Sequence, residues 1–341
     1  MDQTHRRTDI PVLLLHDVDP AWESSETAAA LNAVEQLEAG LRREGHPVTR
    51  VPVADDNLVQ ILKPYDADDY VVFNWCEELP GRHRSDSMVA ETLDALGFAY
   101  TGASPQALEL SWDKEAVREL LSNSGIPTPS GKILDTEAIV GWNRFPAIVK
   151  PAWEHCSLGI SPEAVVMNRD ELEARVAFVK GILHQPALVE TFMDGREFHV
   201  SLWGNGEIHV LPPAEMDFSA FESVRDRLCT FDAKFTPGST HYEKIETRIP
   251  ASLDQTQLSC LNSTARKAYQ VIGCRDYARI DLRMENDIFY VLDVNPNADF
   301  SPDTSLVYTA EAAGLSYGVI ASCLINLAAQ RHPLFSQEAD S

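Results

Sequence analysis

Two consecutive strand-like runs near the C-terminus, YARIDLRM (277–284) and IFYVLDVN (288–295), restrict the fold more than any other stretch. Each alternates apolar and polar residues, the period of a strand with one buried face. In the first run Ala278, Ile280 and Leu282 take one face and Arg279, Asp281 and Arg283 the other. In the second, Val291, Asp293 and Asn295 are expected to share a face. A tight turn at 285–287 then sets Asp281 opposite Asp293 and Arg279 opposite Asn295. Opposed carboxylates repel and weaken a hairpin, so something must offset them. A hard cation held by two carboxylates and an amide oxygen would do so, and magnesium takes oxygen ligands that it shares with phosphates. The plainer alternative is a solvated face neutralised by Arg279 and Arg283. The polar, constrained loop that follows (295–302) favours a ligand-facing hairpin.

The first third of the chain has a different rhythm. Runs at 12–16, 48–53 and 70–74 read as strands. A helix is expected over 25–44, with Leu31, Val34, Leu37 and Leu41 on one face and Gly45 as its stop, and another over 88–96. This β-α-β order predicts a parallel sheet covered by helices. Ligands gather at the carboxyl ends of such strands. Those ends read His16-Asp17-Val18-Asp19 and Asn74-Trp75-Cys76-Glu77-Glu78. A second unit opens at Asp113, which caps a helix, and a third opens with a hairpin joined by Gly204-Asn205-Gly206. The expected class is α/β followed by α+β. The expected units are 1–112, 113–194 and 195–332, with a tail at 333–341. The stretch 218–250 reads as a long polar lid.

Three lysines are placed for anions. Lys114 lies in the first turn of its helix, where the macrodipole disfavours a cation unless an anion binds beside it. Lys150 ends the apolar run PAIVK. Lys234 stands between aromatics in FDAKF. No GxxxxGK[ST], GxGxxG or GxSxG motif occurs, so any nucleotide is bound in another manner. Lys plus Arg number 28 against 52 Asp plus Glu, a net charge of −24. That field argues against nucleic-acid and membrane partners. There is no run of 18 apolar residues, and the six scattered cysteines have no metal-site spacing. A cytoplasmic protein with reduced thiols is expected.

The pieces LGFAYTGASPQALELSWDK, FPAIVKPAWEHCSLGIS, LVETFMDGREFHV, FDAKF, GCRDYARIDLR and YVLDVNPNADFSPDTSLV, in this order, resemble the ATP-grasp superfamily. They resemble most its D-alanine–D-alanine ligase-like branch. The resemblance spans about 70–329. It implies a three-domain ATP-grasp fold with an N-terminal parallel α/β (pre-ATP-grasp) domain. It implies ATP and one or two Mg²⁺, and a carboxylate joined to an amine through an acyl phosphate. By position, Lys114, Lys150 and Lys234 would contact phosphates, under a loop at 155–160 carrying Ser157. Glu190, Thr191, Phe192 and Met193 would line the adenine, Glu197 would take the ribose and Leu292 would pack on the base. Asp281, Asp293 and Asn295 would hold magnesium, and Arg279 would steady the acyl phosphate.

The substrate half departs from the family pattern. The N-terminal glycine-rich motif with its substrate-binding Glu is replaced by LLHDVDPAWESSE. Cys156 stands where the family has a Ser, Phe235 where it has a Tyr, Asp293 for a Glu and Asp299 for a Gly. The expected partners are therefore small-molecule carboxylate and amine substrates, the amine an amino acid. Asp299, Ser301, Ser305, Arg82 and Arg84 are the candidate substrate contacts. A homodimer is compatible with the sequence. The alternatives are an authentic D-alanine–D-alanine ligase, a phosphotransferase, or a nucleotide-binding protein without catalysis.

Overall fold

The computed structural model describes residues 6–135, 138–155 and 157–336. Its elements run β1 (Val12–Asp17), α1 (Ser24–Glu44), β2 (Val48–Val53), α2 (Leu58–Leu62), β3 (Val71–Trp75), α3 (Asp86–Ala95), β4 (Ala99–Tyr100) and α4 (Pro105–Trp112). Then come α5 (Lys114–Asn123), β5 (Gly131–Leu134), β6 (Ala147–Pro151), β7 (Val165–Val166), α6 (Arg169–Gly181) and β8 (Ala187–Thr191). The last part holds β9 (Arg196–Trp203), β10 (His209–Val210), β11 (Ala214–Asp217), α7 (Phe231–Phe235), α8 (Thr240–Lys244), β12 (Glu246–Arg248) and α9 (Gln255–Ile272). It closes with β13 (Tyr277–Glu285), β14 (Ile288–Asn295), α10 (Ser305–Ala312) and α11 (Tyr317–Ala329).

The first sheet has the order β2-β1-β3-β4 and is parallel throughout, as the β-α-β rhythm predicts. Alternate residues of its central strands feed two cores. Val12, Leu14, Val71 and Phe73 pack under α1 and α11, while Leu13, Leu15 and Val72 meet Leu58, Leu62, Val89 and Leu93. The last helix of the chain thus returns to cover the first sheet. It crosses α1 at glycine on glycine, where a Cβ on Gly318 would lie 2.6 Å from the Gly40 carbonyl oxygen. Val34, Leu37 and Leu41 are buried in α1, but Leu31 is 37% exposed. The buried stripe runs through Val34, Leu37, Gly40 and Leu41, which corrects the place expected of Leu31.

The second sheet, β5-β8-β6-β7, is antiparallel and carries α6. The third runs β12-β11-β9-β13-β14 with β10 beside β9. One face of this third sheet packs Phe198, Val200, Ile280, Leu282 and Val294 against Leu261, Ala265 and Tyr269 of α9. Period-2 alternation therefore commits the other face, with Glu197, His199, Arg279, Asp281 and Arg283, to the cleft.

The predicted register holds: Asp281 pairs with Asp293 and Arg279 with Asn295. The route to it differs. The turn has two residues, Asn286 and Asp287, both left-handed at φ 51° and 59°, the pattern that suits strand twist. An extra residue, Leu292, then bulges from β14, since Leu282 pairs with Val291 and Asp281 with Asp293. The bulge reverses the face of everything before it. Val291 consequently lies in the core with Ile280 and Leu282, and not beside Asp293 as alternation alone suggested.

The stretch 218–250 is not plain polar lid. Phe218 and Phe221 are buried with Ala214 and Met216 in a small core, closed by Cys229, Ile245 and Ile249. No single described helix is long and apolar enough to cross a membrane.

Candidate active site

The cleft lies between the polar face of the third sheet and the second sheet. Asp113 Oδ1 caps α5 by accepting from the Ala116 amide, which sets Lys114 at the helix start. Its Nζ meets Asp293 Oδ2 at 3.0 Å. Lys150, at the end of β6, meets Glu190 of β8 at 2.8 Å. Lys114, Lys150, Glu190, Leu292 and Asp293 line one narrow cavity, with Val117 as apolar wall. Residues from four separate segments, named from sequence, are thus brought together.

Arg279 forms a two-pronged pair with Asp281, Nε to Oδ1 at 2.7 Å and Nη2 to Oδ2 at 2.9 Å. Asn295 Nδ2 donates to Asp281 Oδ2 at 3.3 Å. The carboxylate repulsion inferred from the hairpin is therefore offset by side chains: Arg279 holds Asp281 and Lys114 holds Asp293. Burial alone would push both carboxyls up. Arg279 and then His199 outweigh it and hold Asp281 at about 2. Lys114 and His155 likewise hold Asp293 below the usual range. Burial would lower Lys150, but Glu190 keeps it above its ordinary value.

Glu197 is buried, and Arg283 Nε donates to its Oε2 at 2.8 Å. Arg283 also donates to the carbonyls of Met193 and Arg227. Its guanidinium lies over the rings of Phe192 (4.8 Å) and Phe218 (5.3 Å). One rigid fork thereby fixes Glu197 and the segment after β8 together. Thr191 and Phe192 use their amides on the carbonyls of Ser130 and Pro146. The sequence reading assigned Arg283 only a neutralising part on the hairpin face and His199 none, although alternation places both on the polar face. His199 is buried with Nε2 3.5 Å from Glu197 Oε1 and 3.9 Å from Asp281 Oδ1.

The covering loops meet each other. Ser157, left-handed at φ 61°, donates from Oγ to the Cys229 carbonyl at 3.1 Å, and the Phe231 amide donates to the Ile160 carbonyl. Lys234 is exposed on α7. Cys156 lies outside the described residues, as does the end of the expected tail.

On the side of the first sheet, Asp17 accepts from the amides of Glu77 and Glu78 at 3.0–3.2 Å and so braces the end of β3. Burial pushes Asp17 up to about 6. Glu77 opens to water in the cleft. Crowding by protein, and then Asp299, Asp17 and Glu78, push its carboxyl up. Asp299 accepts from the amide and hydroxyl of Ser301 at 2.8 and 2.7 Å. Ser305 opens α10. Arg82 is tied to Asp56 at 2.6 Å, whereas Arg84 lies over Trp112 and Trp153 at 5.3 and 5.8 Å.

The donor set fits a hard divalent cation. By type Asp281, Asp293 and Asn295 are two carboxylates and an amide, the amide turning its nitrogen to Asp281, with Arg279 and Lys114 paired to the carboxylates. Such an arrangement on two α+β halves defines an ATP-grasp fold. The solved D-alanine–D-alanine ligase of Bacillus anthracis complexed with ATP superposes with a TM-score of 0.72 at 20% identity, over 94% of this chain and 97% of that one. A family model described as the D-ala D-ala ligase C-terminus matches residues 128–326. The D-alanine–D-alanine ligase of Alcanivorax borkumensis is 31% identical over 300 residues, 87% of this chain and 88% of its own. That of Gluconobacter oxydans is 28% identical over 90% of this chain and 97% of its own. An uncharacterized protein of Sinorhizobium fredii is 32% identical, over 86% of each chain. The chain belongs to the D-alanine–D-alanine ligase family and is an ATP-dependent carbon–nitrogen ligase.

Proposed function

We propose that the chain joins the carboxylate of an amino acid or small metabolite to the amine of an amino acid other than D-alanine. The observation that carries this reading is the contrast between the two halves of the cleft. On the nucleotide side, cations and opposed carboxylates converge as phosphoryl transfer requires. On the substrate side the carboxyls of Glu77 and Asp299 crowd each other, Glu77 being pushed up to about 8 by desolvation and then by Asp299. A third carboxylate is therefore disfavoured there, and a cation would let both ionise. An ammonium or guanidinium group is the natural occupant of that side.

In this reading Lys114, Lys150 and Lys234 bind the phosphates, and Ser157 joins them from the covering loop. Glu190 to Met193 line the base, Leu292 packs on it, and Glu197 takes the ribose hydroxyls, oriented by Arg283. Asp281, Asp293 and Asn295 hold one or two magnesium ions, which supply neutralisation of the transferring phosphoryl charge. A free carboxylate is a poor acceptor for an amine; phosphorylation gives it a leaving group. Arg279, fixed by Asp281, faces the acyl phosphate and stabilises the oxyanion that forms as the amine attacks. Binding and chemistry are divided among units at 1–112, 113–194 and 195–332.

A screen of ADP release over amino acids and small carboxylates, with mass analysis of the products, tests the reading. The hit should yield a condensed product. With carboxylate labelled by oxygen-18, one label should appear in the released phosphate. Unlabelled phosphate, or a phosphorylated substrate as end product, would contradict it.

A further inference from the structure

Three side chains with metal-ligating atoms meet on the floor of the cleft, apart from the oxygen ligands of the hairpin. Glu197 and His199 leave β9 on one face, two residues apart, and Cys229 comes from the segment that covers them. One carboxylate oxygen, one imidazole nitrogen and Cys229 Sγ all lie within 4.8 Å of one another. Oxygen, nitrogen and sulfur together are the wrong donors for magnesium and the right ones for zinc. Three protein ligands also leave a fourth position for water.

The surroundings hold these donors in place without an ion. Glu197 Oε2 is fixed by Arg283 at 2.8 Å, which leaves Oε1 turned to His199 Nε2 at 3.5 Å. Such outer partners are what orient metal ligands. The backbone of Cys229 is tied by its carbonyl to Ser157 Oγ. Glu197 and His199 are 6% exposed each, so both are desolvated before any ligand enters.

We propose that Glu197, His199 and Cys229 form a binding site for a divalent cation of the zinc class, and that its occupancy excludes the nucleotide. Burial and then the carboxylate of Glu197 push the Cys229 thiol up, so the resting group is protonated. Binding therefore replaces the S–H bond with a sulfur–metal bond, and one proton leaves to solvent for each ion bound. The exclusion of nucleotide rests on the reading of Glu197 as the ribose ligand. The metal site itself does not.

Cobalt(II) titration of the reduced, chelator-treated full chain tests this. One equivalent should give the visible absorption of four-coordinate cobalt and a near-ultraviolet thiolate charge-transfer band, with one proton released and bleaching by zinc. Cys229→Ser should remove the charge-transfer band. His199→Gln should weaken binding about tenfold or more. Cys260→Ser, an exposed control, should change nothing, and circular dichroism should match in all four proteins. No charge-transfer band in the wild type, or a band that survives Cys229→Ser, overturns the site. Adenosine, which has no phosphates to chelate cobalt, should displace the ion. Cobalt that stays bound throughout an adenosine titration overturns the exclusion, and with it the ribose reading of Glu197, while leaving the metal site standing.

Discussion

Asp281 and Asp293 face each other across β13 and β14, yet each meets a cation of its own, Arg279 and Lys114. This changes what a single substitution does. Without those partners, Asp281→Asn would relieve repulsion and raise stability. With them, it leaves Arg279 without its carboxylate in a site where Asp281 is 13% exposed. Asp281→Asn is expected to lower stability without ATP by about 1–3 kcal/mol, read by urea denaturation, and to abolish turnover. An unchanged or raised midpoint would show that repulsion dominates. His155 gives a pH signature. Burial, then Lys114, hold its imidazole down to about 4 from an ordinary 6.5. The folded state therefore binds the proton less readily than the unfolded state. His155 contributes stability in full above about pH 6.5, and loses it as pH falls through about 4. His155→Phe, which keeps an edge on Trp112 (4.3 Å in the wild type), should flatten the decline in urea midpoint across that window. An unaltered profile would assign the acid sensitivity elsewhere.

Among the elements, the α1–α11 crossing is the most exposed to small changes. The helices touch through Gly40 and Gly318, and the Cβ of an alanine at 318 would meet backbone, which cannot rotate away. Gly318→Ala should cost about 1–3 kcal/mol in urea; a neutral effect would mean that the helices slide apart freely. Legibility also varied by element. The hairpin register was readable because period 2 and a short turn leave few alternatives. The bulge at Leu292 was not, since Val291 and Leu292 are both apolar and alternation has no mark for an inserted residue. α4 was overlooked although Ser104 and Pro105 carry the N-cap and first-turn signals, and Ser104 does accept from Ala107. The small core around Phe218 and Phe221 is assembled from β11, the loop after it and the scattered Cys229, Ile245 and Ile249, pieces too short for any period to show. In the site, the lysines and acidic ligands could be named because each type is chemically conspicuous. Arg283 and His199 act by where β13 and β9 set them, Arg283 opposite Glu197 and His199 opposite Asp281, which only the sheet reveals.

At the scale of the whole molecule, the first and third sheets are joined through one buried carboxylate. Asp276 is fully buried and left-handed at φ 62°. It accepts from the Gly102 amide (2.8 Å), Asn205 Nδ2 (2.8 Å) and both terminal nitrogens of Arg331 (2.8 and 2.7 Å). Those partners come from the loop after β4, the loop after β9 and the end of α11. Asp276→Ala removes the anion and strands its donors, and should cost about 3–5 kcal/mol. Calorimetry should then show the single transition broadening or splitting as the N-terminal layer loosens. A sharp, unshifted transition would mean that this junction is not what couples them. The central claim concerns the cleft that this junction frames: the family's nucleotide chemistry serving an altered substrate side. Incubation with ATP, magnesium and D-alanine, read by ADP release and product mass beside the amino-acid hit of the screen, tests it most directly. The account predicts a condensed product with the hit and little or no D-alanyl-D-alanine. Efficient formation of D-alanyl-D-alanine would contradict it.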